Sequence, residues 1–162
     1  MTSEQPRCYA CGGPATTKDH VPPKGLFPEA KDVPDGTDYR TNLLTVPSCS
    51  ACNNARSDDD QYAMAVIAVH FENNKVSVDH AGAKVLRSLK RKPALAAKLL
   101  ETRVQVTVEG QPTMAFKVDR KRLDGVFRAT ARGLHHLEYG TSLSGFIQII
   151  DFACLVEHES LD

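Results

Sequence analysis

Four of the five cysteines fall into two matching pairs, Cys8-Tyr9-Ala10-Cys11 and Cys49-Ser50-Ala51-Cys52. Small or polar residues follow each pair, Gly12-Gly13 and Asn53-Asn54, and suit a tight knuckle that turns two thiolates toward one ion. Three chemistries compete for this pattern: a redox C-x-x-C, two unrelated pairs, or one four-cysteine zinc site. The redox reading needs a thioredoxin-like strand-to-helix setting, and the polar, Gly-flanked stretch around Cys8 offers none. Four thiolates at about 2.3 Å from one Zn²⁺ make the closed tetrahedron that structural zinc prefers. Cys11 and Cys49 are 38 positions apart, well beyond the roughly 15–20 of a simple zinc ribbon, so a further segment is inserted between the knuckles. Cys154, inside the apolar run 146–156, reads as a core residue rather than a fifth ligand.

The insert reads Lys18-Asp19-His20-Val21-Pro22-Pro23-Lys24, then a Pro/Asp/Gly-rich loop to Thr41, then Asn42-Leu43-Leu44-Thr45-Val46-Pro47. On a strand, neighbouring side chains point to opposite faces, so Asp19 and His20 could not both reach one substrate atom directly. They could divide labour, with Asp19 holding a metal ion while His20 faces the attacking water.

The Asp19-His20 pair, Asn42 at the head of a short apolar strand, and the Cys49-to-Ser57 ending C-x-x-C-N-N-A-R-S, set in order between two knuckles, resemble the HNH, or ββα-metal, endonucleases that carry a four-cysteine zinc clamp. The resemblance covers about residues 8 to 60. It implies a zinc-stabilised ββα-metal module over residues 1–62; the local patterns of residues 63–162 add a mainly helical part with a β-hairpin packed with it as one unit, so that the whole is expected to be an α+β fold. The resemblance also implies hydrolysis of phosphodiester bonds in DNA, in preference to RNA, with His20 as general base, Asn42 as the residue orienting the loop or the histidine, and Asp19 and Asn53 as ligands of one catalytic ion. Many members carry His where this chain has Asn53; a neutral oxygen ligand there suits Mg²⁺ or Mn²⁺, and the adjacent Asn54 could exchange roles with it. Lys24 and Arg56, basic and just downstream of the two motif halves, are expected to contact phosphate. The competing reading is a non-catalytic zinc-stabilised module that binds nucleic acid or a protein partner; a homodimer is possible but nothing in the sequence indicates one.

The rest of the chain must position these groups. Ser57-Asp58-Asp59-Asp60 ahead of Tyr62-to-Val69 matches a capping box, so the acidic run is expected as a helix's first turn, continuing to about Phe71. Residues 84–92 and 94–101 read as helix interrupted by Pro93. Arg103–Val108 alternates like a strand, residues 109–112 carry turn chemistry, and 113–118 can return as the hairpin partner. Asp119 caps a helix bearing Leu123, Val126, Phe127, Leu134 and Leu137 on one side, ending near Gly140. The run 143–156 is too evenly apolar to separate buried strand from core helix. His135-His136 cannot share a ligand on a helix, and one packed and one solvated histidine is expected there; His70, His80 and His158 lack partners at ligand spacing.

Twenty basic and twenty acidic residues cancel formally, an apparent argument against a polyanionic partner. The segments differ, however. Residues 1–62 carry 6 basic against 9 acidic residues, 84–132 carry 13 against 4, and 133–162 carry none against 5. Lys90, Arg91, Lys92, Arg120, Lys121, Arg122, Arg128 and Arg132 make the central segment a candidate phosphate-backbone surface, with affinity that falls steeply with salt. Without tryptophan or interleaved aromatics, stacking on single strands is not expected. No apolar run approaches 18 residues, and the stretch 1–7 lacks the apolar core of a secretory signal, so no membrane association and a cytoplasmic location are expected.

Overall fold

The computed structural model describes residues 5–68, 74–80, 84–108 and 110–150. It is a mixture of helices and two small antiparallel sheets, 49% helical, as expected for an α+β chain. Strand β1 (Thr17–His20) pairs with β2 (Thr45–Ser48) in the register Thr17↔Ser48 to His20↔Thr45. Single 3₁₀ turns occupy Lys24–Leu26 and Ala30–Asp32 in the connection between the strands. Helices α1 (Ser50–Ala55) and α2 (Ser57–Ala68) follow β2 directly, broken at Arg56. Then come α3 (Lys75–His80), α4 (Leu86–Arg91), α5 (Pro93–Glu101), the hairpin β3 (Arg103–Val108) and β4 (Gln111–Phe116), and the long α6 (Arg120–Tyr139).

The second half largely follows its local signals. Pro93 opens α5 at its first position, where its missing N–H costs nothing. The Asp119 carboxylate accepts from the Arg122 backbone N–H at 3.3 Å, and Gly140 closes α6 with φ 68°, a left-handed conformation glycine adopts freely. Val108 pairs with Gln111, so Gln111 and Pro112 belong to β4 rather than to the turn.

Helix α2 is the central packing element. Four consecutive residues, Tyr62 to Ala65, are buried, and positions about 100° apart can all be buried only where neighbours surround the helix. One side meets α6 through Ala63, Leu123 and Val126; another meets Val85, Leu26, Leu89 and Leu99 through Met64, Ala65 and Ala68. Tyr62 Oη accepts the Asp119 backbone N–H at 2.7 Å, and the Arg122 guanidinium lies over the Tyr62 ring at 4.4 Å. A third cluster, Tyr9, Val21 and Val46, sits beneath the first cysteine pair. Residues 62 and 63, the expected boundary between the module and the rest of the chain, lie inside α2.

Several expectations change. Ser57 is the first helical residue instead of the residue before the helix, and Asp58 and Asp59 bind Lys92 at 2.8 Å and Arg122 at 2.6 Å. Tertiary ion pairs therefore take two of the three carboxylates. The apolar side of α6 is only half used: Leu123 and Val126 are buried, whereas Leu134 and Leu137 are exposed. His135 and His136 are both half-buried, the former against the Tyr139 ring at 4.7 Å. His80, given no role by spacing, is buried with Nε2 3.1 Å from the Gly25 carbonyl, tying α3 to the first 3₁₀ turn. Residues 143–150 are neither strand nor helix, and Phe146 is 86% exposed; Arg128 holds this stretch by donating to the Ile147 carbonyl at 3.2 Å. The readings placed on residues 69–71 and on His70, Cys154 and His158 fall outside the described residues.

Two glycines of α6 make opposite predictions. Gly133 is buried, and a Cβ there would collide with Val21 Cγ1, whereas a Cβ at Gly125 meets nothing within 4 Å. Gly133→Ala is expected to lower stability by about 1–3 kcal/mol through overpacking. Gly125→Ala is expected to raise it by up to about 1 kcal/mol through helix propensity. Urea midpoints measure both, and adding Val21→Ala to Gly133→Ala should recover part of the loss.

Candidate functional site

The first cysteine pair is shaped by its own backbone. The Cys8 N–H donates to the Gly13 carbonyl at 2.7 Å and the Gly12 N–H to the Cys8 carbonyl at 2.8 Å, a reversal that Gly12 completes with φ 73°. Cys49 caps α1: its Sγ accepts the Cys52 backbone N–H at 3.4 Å, so the helix start presents both sulfurs on one side. The β1–β2 pairing closes the long insert and brings the knuckles together, with the Thr16 N–H on the Ser48 carbonyl at 3.0 Å.

The four Sγ atoms lie within 4.8 Å of one another, with Cys11 and Cys49 at 3.9 Å. A tetrahedron of four Zn–S bonds has edges of about 3.8 Å, so the cluster is the right size to hold a metal ion. Burial pushes Cys8 up, but N–H groups of Cys49, Cys11 and Ala10 outweigh it and leave the thiol at about 6. Hydrogen bonding to Cys49, then burial and the other sulfurs, push Cys52 up to about 12.

Asn53, next in sequence to the cluster's Cys52, lines a groove of about 680 Å³. β1 contributes Asp19 and His20, α1 contributes Asn53 and Asn54, and α2 contributes Asp60. Lys24 stands on one edge, and Lys84, Arg91 and Lys92 reach it from the region of α4. Although Asp19 and His20 alternate along β1, both reach the groove, with Asp19 buried and His20 half-buried at the strand end. The Asp19 carboxylate accepts from Tyr9 Oη at 3.0 Å and pairs with the Arg56 guanidinium through the same oxygen, Oδ2. Burial, then the charges of Lys24 and Arg40, hold His20 below the usual imidazole value and favour the neutral ring. Asn53 donates through Nδ2 to Thr17 Oγ1 at 3.3 Å and to the Lys18 carbonyl at 3.2 Å, which leaves Oδ1 as its acceptor.

Other candidates lie elsewhere. Asn42 is exposed in a turn with φ 59°, three residues before β2 begins, and does not line the groove; asparagine is among the few residues that accept this left-handed backbone. Arg56 turns inward onto Asp19 and Tyr9, away from the position of a surface phosphate contact. Of the basic central segment, Arg91 and Lys92 line the groove, whereas Arg122 is committed to α2 and Arg128 to Ile147.

Sequence reasoning missed Tyr9, Asp60 and Lys84. Asp60 follows Asn53 by seven residues, the spacing of one helical face, but the break at Arg56 hides that signal. Burial pushes Asp60 above the ordinary carboxylate range, with Asp59 adding to this and Arg56 opposing it. No single-residue signal marks Tyr9 or Lys84. Among the described residues no helix is long and apolar enough to cross a membrane.

Comparison with family models, with curated proteins and with solved structures returns no match.

Proposed function

We propose that this chain is a metal-dependent endonuclease of the HNH, ββα-metal type that hydrolyses phosphodiester bonds in DNA, with Zn²⁺ in the four-cysteine cluster and Mg²⁺ or Mn²⁺ at the groove. The observation that carries the reading is that Asp19, His20 and Asn53 line one open groove, with Asn53 next in sequence to Cys52 of that cluster. A buried carboxylate and an amide oxygen form the hard oxygen set that Mg²⁺ and Mn²⁺ prefer. Bound there, the ion would act as Lewis acid for the phosphate and the leaving oxygen.

The chain's own residues supply the rest. A neutral His20 takes the proton of a water as its oxygen bonds to phosphorus; the bond from phosphorus to the leaving oxygen breaks, and that oxygen is protonated from solvent. Lys24, Lys84 and Arg91 line the groove where the flanking phosphates would run. Arg91 is exposed, and among the described residues it hydrogen-bonds only to the Arg87 carbonyl, at 3.4 Å.

Plasmid nicking tests the reading. Zinc-loaded protein is expected to convert supercoiled to open-circular DNA with Mg²⁺ or Mn²⁺, and to stop on chelation that removes these ions and spares zinc. Fully zinc-loaded protein that binds the plasmid but never nicks it would establish the non-catalytic binding module instead.

A further inference from the structure

The inward turn of Arg56 carries more than local stability. Tyr9 sits between the two cysteines of the first knuckle, 1% exposed, with its N–H on the Pro47 carbonyl at 3.0 Å and its ring against Val21 and Val46. The hydroxyl is its polar end, and it donates to Asp19 Oδ2. From the other side the Arg56 guanidinium meets that Oδ2 and the Tyr9 hydroxyl, with its central carbon 5.3 Å from the tyrosine ring centroid. Both bonds end on Oδ2, and Oδ1 is the oxygen left for the groove that Asp19 lines.

We propose that Tyr9 and Arg56 are positioning residues that fix the Asp19 carboxylate with Oδ1 facing the groove as a cation ligand, so that the four-cysteine cluster sets the geometry of the second metal site. This rests on the reading of Asp19 as ligand of a catalytic ion. A carboxylate free to rotate presents either oxygen; one pinned through Oδ2 presents a single oxygen in a single direction, and partners of metal ligands typically govern affinity by 10–100-fold. Tyr9 belongs to the knuckle by sequence and to the groove by its hydroxyl, which makes it the physical link between the two sites.

The test is Mn²⁺ binding to the zinc-loaded full chain, followed by electron paramagnetic resonance or calorimetry, for wild type, Asp19→Asn, Tyr9→Phe and Arg56→Lys. The last two preserve net charge, and lysine lacks the planar fork that spans both partners, so a change in affinity reports orientation rather than field. Both are expected to keep their zinc and to bind Mn²⁺ about 10–100-fold more weakly, with a matching rise in the Mn²⁺ concentration that half-activates nicking. A merely structural role would lower the melting temperature and leave Mn²⁺ affinity where it was; zinc-loaded Tyr9→Phe and Arg56→Lys that bind Mn²⁺ within twofold of wild type overturn the proposal. If Arg56→Lys emerges without zinc, Tyr9→Phe decides by itself. If wild type binds no Mn²⁺, or Asp19→Asn binds it unchanged, the metal-dependent reading falls and the positioning role with it. Binding that Asp19→Asn abolishes and Tyr9→Phe retains removes the positioning role alone.

Discussion

His20→Ala is expected to slow plasmid nicking by about 10²–10⁴-fold, the usual worth of a positioned general base, while leaving zinc content and DNA affinity close to wild type. The imidazole is half-buried at the end of β1, on the wall of the groove, and among the described residues the knuckles and α2 are held by hydrogen bonds of other groups. Its removal opens space at a surface instead of a void in the core, so the cost falls on the reaction. Burial and the neighbouring Lys24 and Arg40 favour the neutral ring, the form a base must have. Single-turnover nicking with saturating Mn²⁺ separates this from binding. Full activity in zinc-loaded His20→Ala would remove histidine from the mechanism.

Cys49→Ser is expected to have the largest effect on stability. Structural zinc contributes about 10–16 kcal/mol to small modules of this kind, and serine is a poor replacement for a thiolate ligand. The apolar support around the knuckles is slight: among the described residues, Tyr9, Val21 and Val46 form the one buried cluster there. Cys49 also caps α1 with its sulfur and supplies the carbonyl that receives the Asn53 N–H. Losing the ion would therefore free both knuckles and release Tyr9 from Asp19. About one zinc per wild-type chain and almost none in Cys49→Ser, with early loss of the β1–β2 region on heating, is the expected outcome; zinc analysis and thermal unfolding followed by circular dichroism measure it. A variant that keeps its ion and its melting temperature would show that the cluster does not hold the fold together.

Much of the framework was legible in the sequence because it rests on short-range chemistry. The paired cysteines, the Asp119 and Gly140 caps of α6, the break between α4 and α5 at Pro93 and the alternation of β3 are each decided by residues a few positions apart. Errors fell where a distant partner outweighs local preference. Asp58 and Asp59 do form the expected acidic first turn of α2, but their ion pairs with Lys92 and Arg122 leave no local signal. Arg56 looks like a surface cation until a buried carboxylate and a tyrosine from the first knuckle appear beside it. Leu134, Leu137 and the stretch 143–150 look like core because apolar residues usually find cover, yet the described residues leave Leu134, Leu137 and Phe146 exposed.

The sequence by itself determined which groups could do chemistry: four thiolates in two knuckles, and between and beside them an aspartate, a histidine and an asparagine in a fixed order. Tertiary structure alone decided what each of them faces. The β1–β2 register closes the long insert and gathers four sulfurs within 4.8 Å. The packing of α2 and α4 beside β1 makes a groove where Asp60, Lys84 and Arg91 join Asp19, His20 and Asn53. Residue types and near neighbours set local geometry through backbone sterics and hydrogen bonds. Long-range placement depends on which buried surfaces fit, and a single sequence does not display that fit.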